Sequence, residues 1–189
     1  SDNNGCLDTA QVSVGVSALP VVDAGTDPTI CFGDTVQLNA SGAATYSWSP
    51  SDSLSNTAIA DPLAWPSDTT QYVVTGTDLN LCSNTDTVVV NVNPLPNVEA
   101  GANSSVCTGD SVQLNATGAT NYSWSPITDL SNPNIADPYA SPTAAATYTV
   151  IGTDANGCSN IDSVTVSINS LPTATVSNDT IICFGDTAQ

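Results

Sequence analysis

The sequence predicts an all-β fold, organised as tandem β-sandwich domains, and three observations carry that prediction. The first is an internal repeat. Cys6, Cys82 and Cys158 are spaced by 76 residues, as are Cys31, Cys107 and Cys183 and the Leu-Pro pairs at Leu19-Pro20, Leu95-Pro96 and Leu171-Pro172. The second is strict alternation of apolar and polar side chains over short segments, which puts one face of a strand in a core and the other in water. The third is the recurrence of turn residues every ~8 to 12 positions with no helical periodicity between them.

The repeat sets the domain boundaries. Residues 21–96 align with 97–172 without a gap, with 42 of 76 positions identical. Residues 1–20 match the end of a preceding repeat and residues 173–189 the beginning of a following one. The chain is therefore expected to be a window on a longer array, with any secretion signal outside it. The joints, Asn93-Pro94-Leu95-Pro96 and Asn169-Ser170-Leu171-Pro172, are short and proline-marked. Proline fixes φ and stiffens a connection, so a semi-rigid string of beads is expected.

Within the second repeat, Val112, Leu114 and Ala116 alternate with Gln113 and Asn115, and Tyr122 and Trp124 with Ser123 and Ser125. Tyr148 and Val150 flank Thr149, and Val164, Val166 and Ile168 alternate with Thr165 and Ser167. Asp154-Ala155-Asn156-Gly157 reads as the turn of a last hairpin. The first repeat has Asp78-Leu79-Asn80-Leu81 there, without the glycine. Trp48 and Trp124 share one repeat position, in YSWSP, and match the core tryptophan on the third strand of an immunoglobulin-like sandwich. Tyr72 and Tyr148 open a strand as Tyr-x-Val, where immunoglobulin domains with a disulfide between their sheets have Tyr-x-Cys. Trp65 has Ser141 as its counterpart, and as an aromatic found in one repeat only it is the candidate for an interface with a neighbouring chain or domain.

Composition narrows the function. The 189 residues include 18 acids, all Asp except Glu99, and no Lys, Arg or His. A chain without a base cannot neutralise phosphate, which argues against nucleic acid and anionic membrane surfaces as partners. No stretch has the length of a membrane-spanning helix. Without His there is no Ser-His or Cys-His pair, and no glycine-rich phosphate loop is present, so the reading is that the chain is not an enzyme. The Asp residues recur with the repeat and sit at turns, where the side chain bonds nearby backbone N–H groups.

Cys6, Cys31, Cys82, Cys107, Cys158 and Cys183 are expected to form disulfides in an oxidising compartment, because 24 residues intervene between even the nearest pair and thiolate zinc sites use closer spacings. Their connectivity stays open. Pairing within a repeat, Cys31–Cys82 and Cys107–Cys158, is the simplest arithmetic, but sandwich topology sets those positions at opposite ends. Cys31 with Cys158 of the next repeat and Cys82 with Cys107 across the joint are the alternatives. No cofactor is required. Calcium is the one metal considered, since it takes oxygen ligands, and its candidate ligands are Asp78, Asn80 and Asp86 with Asp154, Asn156 and Asp162. Asp23 and Asp27, with counterparts Glu99 and Asn103, are a looser second group.

The string AG-x(5)-C-x-GD-[TS]-VQLNA, then YSWSP, LSN, IADP and Y-x-V-x-GTD-x-N-x-C-SN-x-D, covers the whole chain. It resembles the PKD-like and immunoglobulin-like repeats of giant Bacteroidetes cell-surface proteins. Ser49-Pro50 and Ser125-Pro126 stand where the PKD pattern has W-x-F-G-D-G, which favours the immunoglobulin-like variant. The resemblance implies secretion to the cell surface by the type IX route and roles in adhesion, gliding or extracellular fibres. It also implies O-glycosylation at Asp-Ser/Thr followed by a small or apolar residue, a pattern met at Thr9, Thr35, Ser53, Thr69, Thr87, Ser111, Ser163, Thr180 and Thr187. N-x-S/T sequons occur at Asn39 and Asn115. Taken together, the expected function is a structural repeat of a long extracellular fibre or cell-surface stalk, with neighbouring repeats or other copies of the chain as partners. The alternatives are an adhesin module for glycans or a surface, and an accessory stalk of a secreted enzyme.

Overall fold

The computed structural model describes residues 10–175, 181, 183 and 184. Among these residues, every regular element is a strand. In the first repeat these are β1 (Thr29–Cys31), β2 (Val36–Gln37), β3 (Thr45–Ser49), β4 (Leu63–Ala64), β5 (Thr70–Thr77) and β6 (Ser83–Asn93). In the second they are β7 (Ser104–Cys107), β8 (Val112–Gln113), β9 (Asn121–Ser125), β10 (Tyr139–Ala140), β11 (Ala146–Thr153) and β12 (Ser159–Asn169). The chain divides into two compact units, Ser1–Leu95 and Pro96–Gln189.

Each unit has one four-stranded and one two-stranded sheet, in the orders β1-β6-β5-β3 with β2-β4, and β7-β12-β11-β9 with β8-β10. The first strand runs parallel to the last, while the remaining pairs are antiparallel. A long last hairpin, a third strand on its flank and a parallel first strand on its other side are the immunoglobulin-like arrangement. Alternation decides which residues meet between the sheets. On β5, Tyr72, Val74 and Gly76 point inward, and on β6, Val88 and Val90 do so. They pack with Val22, Ala24, Leu38, Trp48 and Ala64. The second core is the same set shifted by one repeat, around Trp124 and Tyr148. Both indoles are almost wholly buried, at 3% and 1% exposure. A buried indole N–H needs an acceptor, and Trp48 Nε1 donates to the Ile59 carbonyl and Trp124 Nε1 to the Ile135 carbonyl, each at 2.9 Å.

The second strand is shorter than its alternation suggests. Leu114 and Ala116 are buried, as expected, but lie beyond β8. Their amides still donate to the carbonyls of Pro138 and Ala136, so backbone pairing continues where the strand geometry stops. Segment 53–55 lies beside β4: Leu54 bridges Ala64, and Ser55 N donates to the Leu63 carbonyl at 2.9 Å. On the outer edge of β3, Trp48 N donates to the Thr57 carbonyl at 2.8 Å. Trp124 N does the same to Pro133 on β9. The turn before the third strand needs glycine. Gly42 and Gly118 sit at φ 87° and 88°, and a methyl on either would run into the carbonyl of Val21 or Asn97.

Candidate functional site

Two features recur at matched positions in both units: the last hairpin with its carboxylates, and one cysteine at each end of the domain.

The hairpin is closed by its own aspartate. Asp78 Oδ1 accepts the amides of Asn80 at 2.8 Å and Cys82 at 2.9 Å. Asp154 Oδ1 accepts those of Asn156 and Cys158, both at 2.9 Å. Asp86 does different work. It lies opposite Val74, down β6 from the turn, and its Oδ2 accepts the amide of Ala24 at 2.8 Å. Asp162 holds Ala100 in the same way at 2.7 Å. The amide bond from Ala24, then that from Thr87, stabilise the ionised Asp86 and lower its pKa against a smaller desolvation effect. Ala100 and then Ser163 do this for Asp162. Asn84 Nδ2 reinforces the clamp by donating to the Pro20 carbonyl, and Asn160 to Pro96, each at 3.1 Å. These bonds tie the segment entering each repeat to its last strand.

Of the six residues considered for calcium, Asp78 and Asp154 accept amides at the turn, whereas Asp86 and Asp162 accept amides further along the strand. Asp78 and Asp86 are eight positions apart around the hairpin, with Asp86 about 13 Å down β6 from Cys82 at ~3.3 Å per residue. Among the described residues, no three Asp, Glu, Cys or His side chains are grouped together. Asp23 Oδ1 accepts the Gly25 amide and Asp27 Oδ1 the Val89 amide, each at 2.8 Å. In the second repeat Asn103 Oδ1 takes over the role of Asp27, accepting Thr165 N at 2.8 Å, and Glu99 Oε1 accepts Asn97 Nδ2 at 3.3 Å.

The cysteines depart from the arithmetic of one disulfide per repeat. Cys31 and Cys158 are disulfide-bonded, whereas Cys82, Cys107 and Cys183 are free thiols. Neither Cys31–Cys82, nor Cys107–Cys158, nor Cys82–Cys107 is formed. The reason is the parallel pairing of first and last strands. Cys31 lies beside Asn93 at the far end of β6, while Cys82 immediately precedes its start. Eleven residue steps at ~3.3 Å each separate them by about 35 Å, against an upper limit of roughly 7 Å between the Cα atoms of a disulfide. Cys107, beside Asn169, and Cys158, before Ser159, are separated in the same way.

The remaining candidates are scattered over the surface. Trp65 is 44% exposed, and its amide donates to the Ser53 carbonyl at 3.0 Å. Thr35, Thr69, Thr87, Ser111, Ser163, Asn39 and Asn115 are exposed, and Ser53 is half-buried at φ 59°. Cys6, Thr9, Thr180 and Thr187 lie outside the described residues. Tyr72 is buried and donates to the Asp52 carbonyl at 3.2 Å, and burial, then the Asp52 charge, raises its pKa. The turn-closing role of Tyr46 and Tyr122 was not foreseen from the sequence. Their hydroxyls donate to the carbonyls, and accept from the amides, of Ala43 and Ala119, closing the turn before the third strand. A Tyr three residues after an Ala at the same place in both repeats was the available signal.

No family model matches the chain, and no curated protein matches it in sequence. Solved structures do. The insect immune protein hemolin is 16% identical at a TM-score of 0.43, over 84% of this chain and 49% of that one. The IG1+IG2 pair of DIP-gamma is 11% identical at 0.39, over 80% and 98%. Fibronectin(III)-like modules of Clostridium thermocellum CbhA are 11% identical at 0.37, over 84% and 100%. The chain thus spans about half the length of the hemolin chain. The fold assignment stands on the strand order within each unit, which these likenesses accompany.

Proposed function

We propose that the chain is a structural segment of a long extracellular fibre or cell-surface stalk, in which the sandwich is the repeated spacer. The observation that carries this reading is the duplication of the internal framework. Two successive segments share their core, their aspartate clamps and their turn closures, down to the same hydrogen-bond partners one repeat apart. Such agreement between 21–96 and 97–172 is what a load-bearing or spacing role asks of its units, since stability then accrues bead by bead. Oxidised Cys31 and Cys158 support an oxidising compartment outside the cytosol. No helix among the described residues is long and apolar enough to cross a membrane. The absence of any base from the sequence favours a hydrated, self-repelling surface that keeps concentrated chains apart.

A Bacteroidetes surface protein of the PKD-like and immunoglobulin-like group, exported by the type IX route, is the source this reading favours. Glycans at the exposed Asp-Ser/Thr sites fit the same setting. Electron microscopy of the native material tests the function: continuous filaments with a regular bead repeat are expected, and isolated globular particles would overturn it. Trp65 favours a second reading, adhesion, because it is a large exposed aromatic that one repeat has and the other lacks. Under that reading, Trp65→Ala abolishes binding to a glycan array or a cell surface while leaving filaments intact.

A further inference from the structure

Each repeat carries one cysteine at each end of its longest strand. Cys31, Cys107 and Cys183 form an entry class, and Cys6, Cys82 and Cys158 an exit class. We propose that Cys82 and Cys107 are joining thiols, each forming a disulfide with a cysteine of the opposite class on a repeat other than its own. The proposal rests on the fibre reading above and adds the covalent chemistry of its joints.

Three observations lead to it. The two ends of a repeat are about 35 Å apart along β6 or β12, so a repeat cannot close on itself. Both positions are nevertheless competent for oxidation, because their counterparts one repeat away, Cys158 for Cys82 and Cys31 for Cys107, are disulfide-bonded in this same chain. Finally, Cys82 is flanked by Leu79 and Leu81, which are 90% and 85% exposed. A surface seated over the thiol removes those side chains from water. The opposite class is the partner because the two oxidised cysteines of this chain, Cys31 and Cys158, are one of each class.

Formation of the joint needs an oxidant, and a disulfide of low molecular mass or a protein disulfide supplies it. The Cys82 thiolate attacks one sulfur of that disulfide and releases a thiol. The entry-class thiolate of the other repeat then attacks the Cys82 sulfur and releases the second thiol. Two protons and two electrons leave the protein, and the oxidant is reduced to two thiols. The 18 negative charges oppose the encounter of two chains, and salt at ~0.15 M screens them beyond about 8 Å.

The test mixes ordinary and isotope-labelled copies of the full chain with glutathione disulfide, at low salt and at physiological salt. The products are followed on non-reducing gels and mapped by mass spectrometry after peptic digestion. A ladder that reductant collapses is expected, stronger at the higher salt, with mixed-isotope peptides joining Cys82 to Cys107 or Cys183. Glutathione adducts on single chains, or Cys82–Cys82 and Cys107–Cys107 as the main products, would overturn it. The double variant Cys6→Ser/Cys82→Ser, checked by unchanged emission from the buried tryptophans, leaves entry-class thiols in excess and should give no ladder. A persistent ladder would show indiscriminate pairing and end the proposal. Filaments without these cross-links would remove the joints and leave the fibre reading standing. Cross-links without filaments would do the reverse.

Discussion

At the tip of the last hairpin the first repeat has Leu81 and the second has Gly157, yet both residues sit in left-handed backbone, at φ 66° and 84°. Both turns are closed by the same bonds to Asp78 and Asp154. The difference teaches that the aspartate, not the glycine, dictates this turn, and that the first repeat tolerates a branched side chain in a conformation that costs an L-residue about 1–2 kcal/mol. Asp27 and Asn103 make a parallel case. Each presents an oxygen to the amide of Val89 or Thr165 at 2.8 Å. What the fold requires there is an acceptor, so the negative charge at Asp27 serves the surface rather than the sandwich.

If the two repeats are equivalent beads, the largest effects should be equal in both. Trp48→Ala and Trp124→Ala should each cost about 3–5 kcal/mol of stability in their own repeat, read by calorimetry on the full chain. A loss in one repeat several times that in the other would break the equivalence. The hairpin pair sharpens the contrast at smaller scale. Leu81→Gly should stabilise the first repeat and Gly157→Leu destabilise the second, each by about 1 kcal/mol, seen as opposite shifts of the two unfolding transitions.

The aspartate clamps come next and turn on pH. Bonds from Ala24 and Ala100 lower the folded pKa of Asp86 and Asp162 below the ordinary value of 3.8. The stability they contribute is therefore fully present above pH ~4 and is lost as pH falls through the depressed folded value. Urea unfolding at neutral pH and near pH 2 should show Asp86→Asn and Asp162→Asn reducing that acid-dependent loss to the same extent. An undiminished loss in either variant would remove that clamp from the account. The smallest effect belongs to Asp27→Asn, which copies the second repeat and should change the urea midpoint by less than ~0.5 kcal/mol equivalent.

The sandwich was legible in the sequence because burial alternates along β5, β6, β11 and β12 and leaves a period-two record. The buried Trp48 and Trp124 were legible for the same reason. What was not legible depends on pairings distant in the chain. The bond from Ala24 to Asp86 spans 62 positions, so nothing local distinguishes Asp86 from a solvated turn acid. The calcium grouping counted residues close in sequence, whereas an extended strand carries Asp86 away from the turn. The same extension separates Cys31 from Cys82, as sandwich topology led one to expect against the simpler residue arithmetic. Trp65 was legible only as an asymmetry, and the structure adds that it is exposed.

Adjacent domains this alike, 42 of 76 positions identical, face a hazard that unrelated neighbours escape. Tethering holds each at an effective concentration in the millimolar range for the other, and a bare β3 would be an ideal template for a neighbour's matching strand during folding. The short segment that caps the Trp48 and Trp124 amides occupies that template from within. One edge amide in each repeat is thereby already paired within its own domain, which leaves less of β3 and β9 open to a neighbour's strand.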